Sequence, residues 1–103
     1  MTDLRSKSRL WLGDLGYLVE TVERWNSFTR RKNDLWGFAD LLALRRGEVL
    51  AVQVTSKHNR ASHITKIANN VKVERVREAE ILIHLHLWEK VGNRWLLTVE
   101  DLS

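Results

Sequence analysis

A chain of 103 residues with 44% hydrophobic and 29% charged residues has the balance of one small folded domain, residues 1–103, with room for a single modest core. It contains no cysteine, which excludes disulfides and thiolate metal sites. No apolar run approaches the ~20 residues that span a bilayer, and the N-terminus lacks a signal-peptide core, so the reading is a cytoplasmic chain without a membrane partner. The net charge of +4 is unevenly spread. Arg24, Arg30, Arg31 and Lys32 crowd the stretch before Asp34, and Lys57, His58, Arg60, His63 and Lys66 follow Gln53. Such clusters suit a polyanion, nucleic acid above all, as well as an ordinary solvated surface.

There is no proline and no linker-like or repetitive stretch. Asp3 to Leu15 reads as a helix with Leu4, Trp11, Leu12 and Leu15 near one face, stopped by Gly16. The β-branched and aromatic residues of Tyr17 to Trp25 predict a strand, and the polar, basic Asn26 to Asp34 a loop. Two apolar runs follow, Ala39 to Leu44 and Val49 to Thr55, and Arg45-Arg46-Gly47-Glu48 between them predicts a tight antiparallel hairpin. Ser62 is placed to cap a helix reaching Ala79, with Ile64, Ile67, Ala68, Val71 and Val76 as its buried stripe. Glu80 to Lys90 and Arg94 to Leu102 read as the last two strands, joined at Val91-Gly92-Asn93. The order is α-β-β-β-α-β-β. A crossover helix between the third and fourth strands makes them parallel neighbours, so the expected fold is an α/β (α+β) mixed central sheet with helices on its faces.

Polar residues inside the hairpin carry the functional signal. Alternation puts Gln53 and Thr55 on one face of their strand, and pairing about Arg46-Gly47 brings Asp40 opposite a residue near Gln53. A carboxylate, an amide oxygen and a hydroxyl then converge, the oxygen donors that Mg²⁺ or Mn²⁺ prefers. His84 and His86 also share a strand face, without an obvious third ligand for zinc. Of five tryptophans, Trp11, Trp88 and Trp95 lie in periodic apolar segments and read as core, whereas Trp25 and Trp36 flank the basic loop, where stacking on unpaired bases is the alternative to packing.

The run Gly37-Phe38-Ala39-Asp40-Leu41-Leu42-Ala43-Leu44, a short turn, and Val49-Leu50-Ala51-Val52-Gln53-Val54-Thr55-Ser56 resembles the core hairpin of the PD-(D/E)xK nuclease superfamily. The flavour is similar to archaeal-type Holliday-junction resolvases and small phage nucleases. "LGYLVETVERW" before it and "SKHNRASHITKI" after it extend the resemblance from Leu10 to Leu87. It implies a restriction-endonuclease-like fold and a Mg²⁺- or Mn²⁺-dependent endonuclease acting on branched DNA as a homodimer. It also implies a metal held by Asp40, Gln53 and the backbone carbonyl of Val54. The chain departs from the pattern at the triplet. Gln53 stands at the acidic position and Thr55 at the lysine position, leaving Lys57, two residues on, as first choice for the migrated lysine and Lys66 as second. The first helix offers Arg5, Lys7 and Arg9 where many resolvases carry a metal-supporting glutamate, so Glu20, Glu23 or Asp34 is left to supply that carboxylate. Arg30, Arg31, Lys32, Trp36, His58, Arg60 and Lys66 are then the nucleic-acid contacts. The same departures fit a nuclease fold with a decayed site that binds DNA or protein.

Overall fold

The computed structural model describes residues 3–103. Helix α1 (Leu4–Asp14) begins at Asp3, whose carboxylate accepts from the Arg5 N–H, and ends before Gly16 at φ +92°, a conformation glycine adopts without strain. Strand β1 (Leu18–Thr21) follows, then a two-stranded ribbon of β2 (Arg24–Asn26) and β3 (Arg31–Asn33). The hairpin is β4 (Leu41–Arg45) and β5 (Glu48–Ser56), turning at Arg46-Gly47 with Gly47 at φ +76°. A short 3-10 turn (Lys57–Asn59) leads into α2 (Arg60–Ala68) and α3 (Val73–Glu78), and β6 (Leu82–Val91) and β7 (Arg94–Asp101) close the chain.

The main sheet has the order β1-β4-β5-β6-β7, with β5 and β6 parallel and the other neighbours antiparallel. Helices cover both faces. Leu12 of α1 packs with Leu41, Ala43, Leu50, Val52, Val54 and Trp88 on one side. Ile67, Val73 and Val76 of α2 and α3 pack with Phe38, Ala39, Ala51 and Ile83 on the other. This is the mixed, helix-covered sheet that the crossover predicts. Among the described residues no helix is long and apolar enough to cross a membrane.

Three local expectations are corrected. The strand predicted over Tyr17–Trp25 is broken, because the chain leaves β4 after Val22, whose N–H still donates to the Asp40 carbonyl at 2.9 Å. The predicted loop Asn26–Asp34 contains β3 and folds back on β2 as the ribbon. The helix predicted over Ser62–Ala79 is two helices starting at Arg60, and Ser62 Oγ donates back to the Asn59 carbonyl rather than capping. The break has a local cause. Asn70 accepts from the Lys72 N–H at 2.8 Å and donates to the Trp36 carbonyl at 2.8 Å, so its side chain competes with helix continuation. Val71 is consequently 89% exposed instead of lying in the buried stripe.

On the α1 face a polar staple ties helix to sheet. Trp88 Nε1, which can only donate, bonds Ser8 Oγ at 2.9 Å, which leaves the Ser8 hydroxyl to donate to His86 Nδ1 at 2.8 Å. His86 is fully buried, and burial, with the His84 charge second, pushes its pKa down to about 4, so the ring is neutral. Trp11 lies on this histidine edge-to-face, ring centroids 5.4 Å apart, but remains half-exposed, unlike the core placement expected of it. His84 faces Asp101 at 3.8 Å, and among the described residues neither histidine belongs to a cluster of three metal-ligating groups.

Candidate metal centre

Asp40 is delivered by a closed turn. Leu35 and Ala39 exchange backbone hydrogen bonds, both at 2.9 Å, folding Asp34-Leu35-Trp36-Gly37-Phe38-Ala39 back on itself. Gly37 sits at φ +84°, and a Cβ there would lie 3.0 Å from Asn70 Nδ2, the group that holds the Trp36 carbonyl. Glycine is thus favoured by conformation, and a larger residue would also have to displace the Asn70 amide. The turn sets Asp34 beside Asp40 although six residues separate them. Beyond it, the Asp40 N–H donates to the Val52 carbonyl at 2.9 Å, continuing the β4–β5 ladder by one residue. Leu41 pairs with Val52, so Asp40 stands across from Gln53 on the α2/α3 face.

The acid and the amide meet, but through the amide nitrogen rather than its oxygen, and no hydrogen bond among the described residues joins the Thr55 hydroxyl to either. Gln53 Nε2 donates to Asp40 Oδ2 at 2.8 Å, and the Val54 N–H donates to the same oxygen at 2.9 Å. Both side chains are buried, Asp40 at 3% exposed and Gln53 at 4%. Gln53 Oε1 has no hydrogen-bond partner among the described residues, although it is fully buried. An orphaned buried amide oxygen next to a carboxylate is costly unless something electropositive meets it.

Two further carboxylates complete the group. Glu23 and Asp34 join Asp40 with ligand oxygens all within 4.8 Å of one another. In an octahedral Mg²⁺ site with ~2.1 Å bonds at most one pair of three ligands is opposite, about 4.2 Å apart, and the others stand about 3 Å apart, so the trio would close up around such an ion. The outer two have cationic partners. Arg5 reaches Glu23 at 2.8 Å with Lys32 at 3.9 Å, and Lys66 reaches Asp34 at 3.1 Å. Asp40 has none among the described residues. Burial, a hydrogen bond shared with Asp34, and the nearby Asp34 and Glu23 charges outweigh the Val54 N–H and push its pKa up to about 7. The donor set is all hard oxygen, suited to Mg²⁺ or Mn²⁺ rather than to a thiophilic metal.

The remaining candidates are sorted by the fold. Val54 donates toward β4, and the alternation of a strand backbone puts its carbonyl on that same edge. Thr55 shares the Gln53 face and helps line a groove of about 490 Å³ between the start of α1 and the end of β5, together with Asp3, Arg5 and Asn59. Lys57 does not continue that face, because β5 ends at Ser56. It lines a different groove with His58, Trp88 and Trp95. Lys66, at Asp34, and more distantly Lys32, at Glu23, are the lysines that reach the carboxylates. Arg60 is engaged with Glu100, its Nη2 at 3.1 Å from Oε2, and Trp36 packs against the α2/α3 core with Phe38 6.4 Å away. Arg30, Arg31 and Lys32 lie exposed on the ribbon.

Two site residues escaped the sequence. Arg5 comes from α1, eighteen positions before Glu23, with no local signal to mark the pairing. His63 reads from sequence as an acid or base or, more simply, a phosphate contact in a basic loop, with nothing to mark its place beside the carboxylates. It lies one helical turn before Lys66 with Nδ1 buried and unpartnered, and burial together with the Lys66 charge lowers its pKa against the pull of Asp34. No protein-family model and no curated protein sequence matches this chain, so the reading of the site rests on its own geometry.

Proposed function

We propose that this chain is a Mg²⁺- or Mn²⁺-dependent endonuclease of the PD-(D/E)xK kind that cuts phosphodiesters in branched DNA. The observation that carries the reading is the gathering of Glu23, Asp34 and Asp40 within 4.8 Å around a buried Gln53 amide whose oxygen has no partner. A bound cation supplies Lewis-acid polarisation of a phosphate and acidifies a water. Asp40, Gln53 Oε1 and the Val54 carbonyl form the inner wall of its seat, and Glu23 and Asp34 the outer wall. Lys66, already 3.1 Å from Asp34, takes the part of the motif lysine in place of Lys57 and meets negative charge developing on the phosphate. Thr55, uncharged, remains on the groove wall. A C2 homodimer sets two such sites on one junction, and the exposed cross-strand pair of Leu18 on the edge strand β1 and Leu44 on its neighbour β4 is the apolar surface it would cover. The proposed place of action is the cytoplasm.

A degenerate, binding-only site is the second reading, and Thr55 at the lysine position favours it. Incubation of labelled four-way junctions with Mg²⁺ or Mn²⁺ separates the two. Metal-dependent cutting by the wild type, absent in Asp40→Ala, supports the nuclease. Salt-sensitive binding without cutting selects the binding module, and equal cutting by both proteins marks a contaminant and defeats the nuclease reading.

A further inference from the structure

The two feet of the β2–β3 ribbon are Glu23 and Asp34, two of the three clustered carboxylates. The ribbon itself is chemically their opposite. Residues 24–33, RWNSFTRRKN, hold four basic and no acidic side chains, while the rest of the chain carries equal numbers of each sign. The whole net charge of the protein therefore resides on this arm. Arg24, Arg30 and Arg31 make no ion pair among the described residues.

The arm also displays two aromatic rings. Trp25 is 62% exposed and Phe28 98%. The turn that presents Phe28 is preformed, since Asn26 Oδ1 accepts from the Phe28 N–H at 2.9 Å and the Thr29 N–H at 3.3 Å. Trp25 pairs across the ribbon with Lys32 and Asn26 with Arg31. Alternation thus sets a ring and a cation on one face and Arg24 and Arg31 on the other. Rings separated by Asn26 and Ser27 form no continuous apolar face of the kind that sinks into a lipid interface. Interleaved with cations, they match a strand of nucleic acid whose base faces are free to stack and whose phosphates lie alongside.

We propose that the β2–β3 ribbon is a binding arm for unpaired nucleotides, in which Trp25 and Phe28 stack on bases while Arg24, Arg30, Arg31 and Lys32 neutralise the flanking phosphates. The inference deepens the nuclease reading by naming what selects branched DNA: the single-stranded stretch at the branch. Trp25 is two residues from Glu23, about 7 Å at the ~3.3 Å rise of a strand, so a strand held on the arm runs to the carboxylates within a few nucleotides.

Fluorescence anisotropy on the full chain in EDTA tests the arm independently of any cation. Labelled oligothymidine is expected to bind at least ~10-fold more tightly than a fully paired duplex, whose base faces are hidden. Trp25→Ala and Phe28→Ala each weaken that binding roughly five- to hundredfold, whereas Trp25→Phe retains it. The double variant Arg30→Ala, Arg31→Ala lowers the slope of log affinity against log salt by about 1.4. Thermal melts shared with the wild type show that these exposed substitutions leave the fold intact. Duplex bound as tightly as oligothymidine, aromatic variants that bind normally, or a preference of the arm for phosphatidylserine vesicles overturns the proposal. Cutting by a protein whose aromatic variants bind normally sinks the arm alone. Aromatic-dependent binding without cutting or cation uptake sinks the nuclease reading alone.

Discussion

The two faces of the central sheet each bury a polar cluster, and the clusters are built on opposite principles. On the α1 face, Ser8 stands between Trp88 and His86 and uses both its acceptor and its donor. The histidine is neutral, and the cluster joins helix to strand without net charge. On the α2/α3 face, Asp40 takes two donors on one oxygen and stands beside the Asp34 and Glu23 carboxylates. There, among the described residues, the Gln53 amide oxygen has no partner and the innermost acid has no cationic one. The first cluster behaves as a neutral staple, although His86 Nε2 is buried without a partner among the described residues. The second gathers three carboxylates and raises the pKa of the innermost, so it favours an added proton or cation.

The sharpest test of the contrast is function. Asp40→Asn keeps an acceptor for Gln53 and Val54 but removes the inner negative charge. Cation-dependent cutting of junctions is expected to fall by at least about a thousandfold, several kcal/mol of lost stabilisation, read from gel time courses. Ser8→Ala is the matching change on the other face. It strands the Trp88 N–H and a His86 nitrogen in the core and costs about 2–4 kcal/mol in urea unfolding, with Mn²⁺ affinity unaltered. Ser8→Ala weakening Mn²⁺ binding as strongly as Asp40→Asn does would erase the distinction.

Their pH responses have opposite signs. The folded pKa of Asp40, about 7, lies above its ordinary 3.8. Its contribution is full below pH 3.8 and is lost as pH rises toward 7, because the folded state must then give up a proton it holds more tightly. The folded pKa of His86, about 4, lies below its ordinary 6.5. Its contribution is full above pH 6.5 and is lost as pH falls toward 4. Melting temperatures in EDTA between pH 4 and 8 should lose the alkaline decline in Asp40→Asn, and Mn²⁺ should reduce that decline in the wild type. An unchanged alkaline limb in the variant would refute the assignment. The smallest effect belongs to neither cluster. Arg60→Ala breaks an exposed pair with Glu100 and is expected to cost no more than about 1 kcal/mol in the same unfolding assay.

Sequence reading reached the hairpin because its signals are local. Arg46-Gly47 sets the turn, the turn sets the register, and the register sets Asp40 across from Gln53. It failed where a side chain diverts the backbone. Asn70 ends α2 through bonds to Lys72 and to the distant Trp36, which no periodicity reveals. It failed again at Lys57, placed on the Gln53 face by extending a strand that stops one residue earlier. The basic stretch Asn26–Asp34 looked like a loop because its strands carry exposed polar residues with no buried face to impose alternation.

Composition, periodicity and turn chemistry alone determined a mixed sheet with helices on its faces and the meeting of an acid with an amide, since each depends on residues near in sequence. The tertiary structure decided the rest. It drew Glu23 and Asp34 to Asp40, set Lys66 beside Asp34 and Lys57 in a different groove, brought Arg5 of the first helix to Glu23, and set an aromatic, basic ribbon on the two outer carboxylates. Those placements depend on how separate elements pack, and packing is a property of the whole chain that no short window contains.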